Sequence, residues 1–405
     1  MSFLVMKFGG TSVGNSERIK NVSKKIVRSV RRKEKVLVVV SAMAGYTDNL
    51  ISKTKEFGNC QFNPEFDSIL STGEQLSSGL LSMYLNSKKI RSRSIMGWQI
   101  PIDTDSNYGK ARIKKINNKN LIKLFDDFEV LVVAGFQGVD CLGRITTLGR
   151  GGSDTTAVAL AASIKSEICE IYTDVDGIYT ADPRDVKTAK KLNNITYEET
   201  LELSSLGSKV LHPRSVELAM KYDIKVHVRS SFSSKRGTFV LKEGKNLEKE
   251  LVTGITSSVD DAKITLIGIS DNPGVASRIF TPLAVANINV DMIVQNITDD
   301  GKLTSLTFTV SKTEHLKAVD VLNQAKIKYR NIHVDKNISK VSIVGVGMKS
   351  NVGVAKKMFE TLAKKNINIQ VISTSEIKIS VLIASRSRKI AVQSLHKTYN
   401  LDKKN

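Results

Sequence analysis

The chain has 405 residues, room for two or three domains, and its 41% hydrophobic and 25% charged residues describe an ordinary globular protein. Lys and Arg number 61 against 40 Asp and Glu, a formal charge of +21. The basic residues are nevertheless scattered through every segment and aromatics are only 6%, which excludes a stacking platform or basic recognition helix and so a specific nucleic-acid partner.

Cys60, Cys141 and Cys169 form no CxxC, and the five histidines form no HExxH, which argues against structural zinc and suits a reducing cytoplasm. No apolar run reaches membrane-spanning length, and Met1-Ser2-Phe3-Leu4 leads directly into an apolar run. Neither a membrane partner nor a signal peptide is expected.

The run Phe3-Leu4-Val5-Met6 reads as a strand. Lys7-Phe8-Gly9-Gly10-Thr11-Ser12 follows, then a helix with apolar residues at Ile19, Val22, Ile26, Val27 and Val30, for which Ser16 is the expected N-cap. Strand, glycine turn and helix N-terminus make a phosphate cradle. Bare glycines let the backbone approach an anion, and Lys7 can neutralise a phosphoryl oxygen. The pattern GxxxxGK[ST] is absent. Val36 to Val40, Val130 to Val133, Ile171-Tyr172 and Val226-His227-Val228 read as further strands. Near-continuous apolar strands between helices indicate a parallel sheet covered on both faces.

Between Thr146 and Thr156 lies a second Gly-rich approach to a helix, with Arg150 and Asp154 inside it and the Ala-rich helix expected over Ala157 to Ser163. Arg150 can grip a carboxylate or phosphate with two parallel bonds. Taken alone, Asp154 reads equally as a helix cap and Arg150 as a solvated loop residue. Two such loops in one α/β region favour anion binding.

Ser230 to Glu250 is a polar boundary, with Gly237 to Leu241 as a candidate last strand. Beyond it an internal repeat begins. Ile264-Thr265-Leu266-Ile267-Gly268 recurs as Val341-Ser342-Ile343-Val344-Gly345, and Asn287-Ile288-Asn289-Val290 as Asn366-Ile367-Asn368-Ile369. Each copy reads as a βαββαβ unit.

Lys7 to Ser12, the loop Gly149 to Asp154, and Tyr172-Thr173-Asp174-Val175-Asp176-Gly177-Ile178-Tyr179-Thr180-Ala181-Asp182-Pro183 resemble the signature segments of the aspartokinases, a branch of the amino-acid kinase superfamily. The repeat resembles tandem ACT domains. The resemblance implies an α/β amino-acid-kinase fold, a mainly parallel sheet between helices, at residues 1–249. It places a regulatory region at 250–405, with ACT units at about 264–337 and 338–405 and with 250–263 a candidate to complete the latter.

It further implies phosphorylation of the β-carboxylate of L-aspartate by ATP, with Mg²⁺ bound alongside the nucleotide. Lys7, Asp154 and Lys209 would be catalytic. Phe8, Gly9, Gly10, Thr173, Asp174, Tyr179, Asp182, Arg184 and Val210 would join Lys7 and Lys209 around ATP. Ser41, Thr47, Glu74, Arg150 and Ser153 would contact aspartate, Glu74 meeting its α-amino group and Arg150 a carboxylate. Without the family match, Glu74 reads as an acid in the first turn of a helix.

For the repeats, the resemblance implies amino-acid effectors, lysine or threonine or both. Ser270, Asp271, Gly274, Ala276, Asp291 and Gln295 are the candidates in the first copy, and Thr374, Ser375 and Glu376 in the second. A homo-oligomer, dimer or tetramer, through the ACT region is implied as well. Two departures bear on regulation. Ser305 stands where related enzymes often carry an aspartate, and no methionine between Met220 and Met292 offers an internal start for a separate regulatory subunit. Acetylglutamate kinase and glutamate 5-kinase share the glycine loops but not the Lys7 to Ser12 motif with tandem ACT units. An inactive amino-acid sensor would not need Lys7, Arg150, Asp154 and Lys209.

Overall fold

Valine runs buried on both sides form the centre of the first half of the chain. Val36 to Val40 and Val130 to Ala134 have essentially no exposed surface, the expected result for inner strands of a doubly covered parallel sheet. In this computed structural model the described residues are 2–58, 63–206, 210–242, 251–297, 303–325, 327–346, 348, 351 and 353–403. Cys60 lies outside them, Cys141 is exposed and Cys169 is buried. No described helix is long and apolar enough to cross a membrane.

The chain divides into two compact units. The first comprises Met1–Ile178, Lys191–Ser205 and Lys209–Asn246. It begins with β1 (Phe3–Phe8), α1 (Ser16–Arg31), β2 (Lys35–Val40), α2 (Tyr46–Lys55), α3 (Pro64–Ser87) and β3 (Ser92–Ile95). Next come β4 (Ile102–Thr104), β5 (Ile113–Ile116), α4 (Asn118–Asp127), β6 (Val130–Ala134), β7 (Gln137–Val139) and β8 (Ile145–Thr147). It closes with α5 (Gly152–Ser163), β9 (Ile168–Thr173), β10 (Asn194–Thr196), α6 (Tyr197–Ser205), α7 (Pro213–Tyr222), β11 (Lys225–Ser230) and β12 (Thr238–Leu241).

Eight of these strands form one sheet in the order β10-β12-β11-β9-β1-β2-β6-β3. The six from β11 to β3 are parallel, and β12 runs against β11. One face is packed by α1 and α3, through Ile19, Val22, Ile26, Leu81 and Leu85 against Met6, Phe8, Val36, Val38 and Val132. Each fully buried aliphatic side chain there contributes about 1.5–3 kcal/mol. Helix α5 is buried all round from Gly152 to Ala161, which its small residues permit. Four short strands make a second sheet, β5-β4-β7-β8, that the sequence pattern does not announce.

The second unit comprises Tyr179–Lys190, Leu206–Ser208 and Leu247–Asn405. It opens with β13 (Gly254–Ser258); its first copy then runs β14 (Asp261–Ser270), α8 (Val275–Val285), β15 (Val290–Ile297), β16 (Leu303–Ser311), α9 (His315–Gln324) and β17 (Asn331–Asp335). The second runs β18 (Ile338–Val344), α10 (Gly353–Lys364), β19 (Ile369–Thr374), β20 (Lys378–Ala384) and α11 (Arg388–Thr398). Sheet orders are β15-β16-β14-β17 and β19-β20-β18-β13. The two correspond strand for strand, with β13, from upstream of the first copy, standing where β17 stands in the other. The segment Tyr179–Lys190 packs into this unit. Ala181 and Val186 join the second copy's core, Thr180 Oγ1 bonds His396 Nε2 at 2.9 Å, and Arg388 grips Asp185 with both terminal nitrogens.

Candidate active site

In the first unit the parallel strands β1, β2, β6 and β9 end side by side, the edge at which open α/β sheets bind ligands. The two-residue period of β1 sends Met6 and Phe8 into the α1 face and Lys7 towards α5, where Lys7 Nζ lies 2.6 Å from Asp154 Oδ1. The Gly9 N–H donates to Tyr172 O at 3.2 Å, and the Ala44 N–H donates to Gly10 O at 3.2 Å. A Cβ on Gly10 would come within 2.6 Å of Ala42 O, and one on Gly9 would sit in contact with Lys7 Nζ at 3.5 Å. The Phe8 ring is buried and stacks on Tyr172 at 4.7 Å, so Phe8 offers the loop only its backbone. The cap of α1 is Asn15, whose side chain accepts from the Arg18 N–H at 2.9 Å. Ser16, the expected cap, is instead the first helical residue.

Past β2, the Ser41 N–H donates to Phe8 O at 3.1 Å and the Ala42 N–H to Glu74 Oε1 at 2.9 Å. Glu74 sits in the middle of the 24-residue helix α3, not in a first turn. It is 4% exposed, and its Oε2 has no hydrogen-bond partner among the described residues. Burial pushes its carboxyl up to about 7, against the pull of the Ala42 N–H and the Lys7 charge. Gly73 lets α3 approach, since a Cβ there would lie 2.7 Å from Ala42 Cβ. Thr47 is half-buried in the first turn of α2.

Gly149 and Gly151 take φ of +75° and +68°, and α5 begins at Gly152, five residues earlier than its alanines suggest. Ser153 and Asp154 therefore lie in its first turn, where the helix dipole favours a negative group. Ser153 is buried against Gly135, whose absent Cβ would be 2.9 Å from Ser153 Oγ. Arg150 is exposed.

Three residues without an assigned role surround this loop. His212 caps α7, its Nδ1 accepting from the Arg214 N–H at 3.4 Å. Burial lowers the His212 pKa; Asp154 opposes this, while Arg214 and Arg150 add to it. Arg214 donates to Leu148 O at 2.5 Å and to Ala111 O at 2.9 Å. Asp67, with no exposed surface, accepts from the Gly109 and Thr147 N–H groups and the Thr147 hydroxyl. The sequence does carry a signal for Asp67. Seven residues from Glu74, it lies on the same face of α3.

Among the residues that the resemblance gives to ATP, Thr173 Oγ1 donates to Asp174 Oδ1 at 2.9 Å, at the end of β9 beside the glycine turn. The Ser231 N–H donates to Thr173 O at 2.9 Å and Ser231 Oγ meets Ser12 Oγ at 2.5 Å; no motif in the sequence marks Ser231. Val210 is half-buried, and Gly207, Ser208 and Lys209 lie outside the described residues. Tyr179, Asp182 and Arg184 belong to the second unit. Tyr179 is half-buried, and Arg184 pairs with Asp182 through Nη2 at 2.7 Å. Among the described residues, no three His, Cys, Asp or Glu side chains gather to hold a metal ion.

Of the effector candidates, Ser270 ends β14, Gly274 caps α8 at φ +89° and Ala276 lies in its first turn. Gln295 Nε2 donates to Asp271 Oδ1 at 3.2 Å. Asp291 is engaged elsewhere: Lys340 Nζ lies 2.9 Å from its Oδ2 and 3.3 Å from Asp261 Oδ1. Thr374 ends β19, and the turn after it is closed by the Ser375 N–H donating to Lys378 O. The Met348 N–H donates to Glu376 O.

Comparison with known proteins adds to this picture. The amino acid kinase family model matches residues 2–230, and the ACT domain model matches 264–325 and 341–399. An aspartokinase of Pseudomonas aeruginosa is 49% identical over 99% of this chain and 98% of its own length. One of Helicobacter pylori is 48% identical over 98% and 99%. Among solved structures, E. coli aspartokinase III in complex with aspartate and ADP in the R-state superposes with a TM-score of 0.83 at 26% identity, covering 98% of this chain and 99% of that one. The same enzyme with lysine and aspartate, in the T-state, gives 0.77 over the same shares.

Proposed function

The chain belongs to the aspartokinases, aspartate-phosphorylating amino acid kinases with ACT domains, and from that premise we propose how its residues divide the work. A β-carboxylate oxygen of L-aspartate attacks the γ-phosphorus of ATP, the bond to the β,γ-bridging oxygen breaks, and 4-phospho-L-aspartate and ADP result. The nucleophile is already ionised at neutral pH, so no general base is required. The difficulty is to hold two anions together and neutralise the transferring phosphoryl.

The observation that carries this reading is the half-met carboxylate of Glu74. Burying a carboxylate with one free oxygen is costly, and an α-ammonium on Oε2 would offset that cost. Lys7, oriented by Asp154, and the Gly10 N–H would receive the phosphoryl oxygens, with the bare Gly9 backbone, its N–H held by Tyr172 O, allowing their approach. Arg150, with Ser153, Ser41 and Thr47, would hold the acceptor. Thr173, Asp174, Tyr179, Asp182, Arg184, Lys209 and Val210 are the nucleotide candidates. Mg²⁺ would rest mainly on phosphate oxygens and water, neutralising charge on the phosphates.

For the ACT region we propose a feedback role for end-product amino acids of the lysine, threonine and methionine pathway. The Asp271–Gln295 bond beside the glycine-capped start of α8 supports an amino-acid site in the first copy. The T-state E. coli enzyme is in complex with lysine. We further propose a catalytic region at 1–249, a regulatory region at 250–405, a cytoplasmic location and a homo-oligomer through the ACT units, which a monomeric mass by light scattering would reject.

The test is acyl-phosphate formation from ATP and Mg²⁺ trapped with hydroxylamine, with L-aspartate, L-glutamate and N-acetylglutamate offered in parallel, with and without lysine plus threonine. Aspartate-only turnover that falls with the end products is expected. Equal turnover of glutamate would overturn the acceptor assignment, and insensitivity to both amino acids the regulatory one.

A further inference from the structure

The two residues ahead of Gly149 have all their backbone polar groups committed. The Thr147 N–H donates to Asp67 Oδ2 at 2.6 Å, and Thr147 O accepts from the Ala111 N–H at 2.9 Å. The Leu148 N–H donates to Phe136 O at 2.8 Å, and Leu148 O accepts from Arg214 Nη1. The neighbouring segment is held by the same two side chains. Asp67 Oδ2 also accepts from the Gly109 N–H at 2.9 Å, and Arg214 Nη2 also donates to Ala111 O at 2.9 Å. Asp67 Oδ1 takes the Thr147 hydroxyl at 2.8 Å. One buried anion from α3 and one half-buried cation from α7 thus clamp the 109–111 and 147–148 segments together. The next residue, Gly149, lies against Gly109, since a Cβ on Gly149 would be 2.9 Å from Gly109 O. Arg150 leaves from that fixed platform.

We propose that Asp67 and Arg214 are positioning residues for Arg150, setting affinity for the acidic acceptor while leaving nucleotide affinity alone. This rests on the reading of Arg150 as the carboxylate grip. A guanidinium that must meet a carboxylate with two parallel bonds is sensitive to small displacements, and misplacement by about 1 Å can cost about 100-fold. Each clamp residue holds two segments, so removing either one loosens the launch point of Arg150 without touching Lys7, Gly9 or Gly10.

The experiment is steady-state kinetics of the full chain with aspartate and ATP varied separately, for Asp67→Ala, Asp67→Asn, Arg214→Lys, Arg150→Ala and the double variant Asp67→Ala/Arg150→Ala. Asp67→Ala should raise KM for aspartate about tenfold or more with KM for ATP little changed. Asp67→Asn keeps an acceptor oxygen for the two amides and turns the Thr147 hydroxyl bond round, so it should restore most of the affinity. Arg214→Lys, able to reach one carbonyl, should fall between.

In the Arg150→Ala background, Asp67→Ala should add little, because the side chain it positions is gone. A penalty undiminished there, or a KM for ATP that rises as far as that for aspartate, would show a merely structural role and overturn the proposal. If Asp67→Ala does not fold, Arg214→Lys, alone and with Arg150→Ala, decides by the same readouts. Arg150→Ala without effect on aspartate would instead overturn the reading of Arg150. A large Arg150→Ala effect beside silent Asp67 and Arg214 variants would sink only the clamp.

Discussion

Both units bury a lysine ammonium against aspartate, and they use it differently. In the first unit Lys7 faces one carboxylate, Asp154, with side-chain exposures of 11% and 12%, and bare glycine backbone adjoins it. In the second, Lys340 is 6% exposed and faces two carboxylates, Asp261 and Asp291. Burial works against the Lys340 charge, yet the two aspartates outweigh it and hold its pKa above the ordinary value. Asp261 and Asp291 come from the first repeat and Lys340 from the second, beside a small apolar cluster of Met292, Ile338 and Leu382 that also joins the two. A lysine on one carboxylate, beside bare glycine backbone, keeps N–H donors for an incoming anion. A lysine between two acids has no charge to spare and serves as a fastening.

The largest effect should follow from breaking the first pair. Lys7→Ala is expected to lower kcat by on the order of 10²–10³-fold, measured by hydroxylamine trapping, while circular dichroism stays that of the folded protein. Retained turnover would mean that Lys7 resembles Lys340 after all. Lys340→Met keeps volume but strands Asp261, 15% exposed, and should destabilise the second unit by about 3 kcal/mol. Urea unfolding of the full chain would read this as an earlier transition, with aspartate turnover below that transition preserved. The Asp291 pKa is lowered, with Lys340 overcoming the effect of burial. The contribution of that pair is therefore present above the ordinary carboxylate range and lost as pH falls through the lowered value.

Much of the kinase sheet was legible because apolar strands and Gly-rich turns leave strong local patterns. The resemblance named most of the residues gathered at its edge. What escaped was short or long-range. Strands β4, β5, β7 and β8 have three or four residues each, too few for a two-residue alternation to stand out. Asn15 competes with Ser16 as a cap, and only the bond to the Arg18 N–H decides between them. The start of α5 was hidden because glycine, serine and threonine read as loop formers, whereas here they let the helix be buried all round. The clamp at Asp67 joins residues 42 and 80 positions apart, and Lys340 meets acids 49 and 79 positions away. No window of sequence shows such pairings. Nothing local marks Lys340 as the partner of Asp291.

The smaller, subtler effect lies in two buried glutamates of the first unit. Glu170 accepts from Tyr172 at 2.8 Å and Arg229 at 2.7 Å. Although burial opposes it, His227, Arg229 and Tyr172 hold its carboxyl below the ordinary value. Glu74 has one N–H and is pushed up to about 7. If Glu74 must be ionised to receive an α-ammonium, kcat/KM for aspartate should rise with pH and level off above about 7, standing about tenfold lower at pH 6 than well above 8. Glu74→Gln should lower that plateau and flatten the rise.

Linkage gives a second readout with the opposite sense. A carboxyl whose folded pKa is raised binds its proton more tightly in the native state, so Glu74 costs the fold nothing at low pH. The cost grows as pH climbs from the ordinary carboxylate range and is complete above about 7. Glu74→Gln should therefore raise the thermal midpoint at pH 8 relative to the parent and raise it much less at pH 5. Saturating aspartate should shrink the difference at pH 8 by stabilising only the parent. A variant no more stable at pH 8 than at pH 5 would mean that Glu74, like Glu170, has its charge already met within the protein.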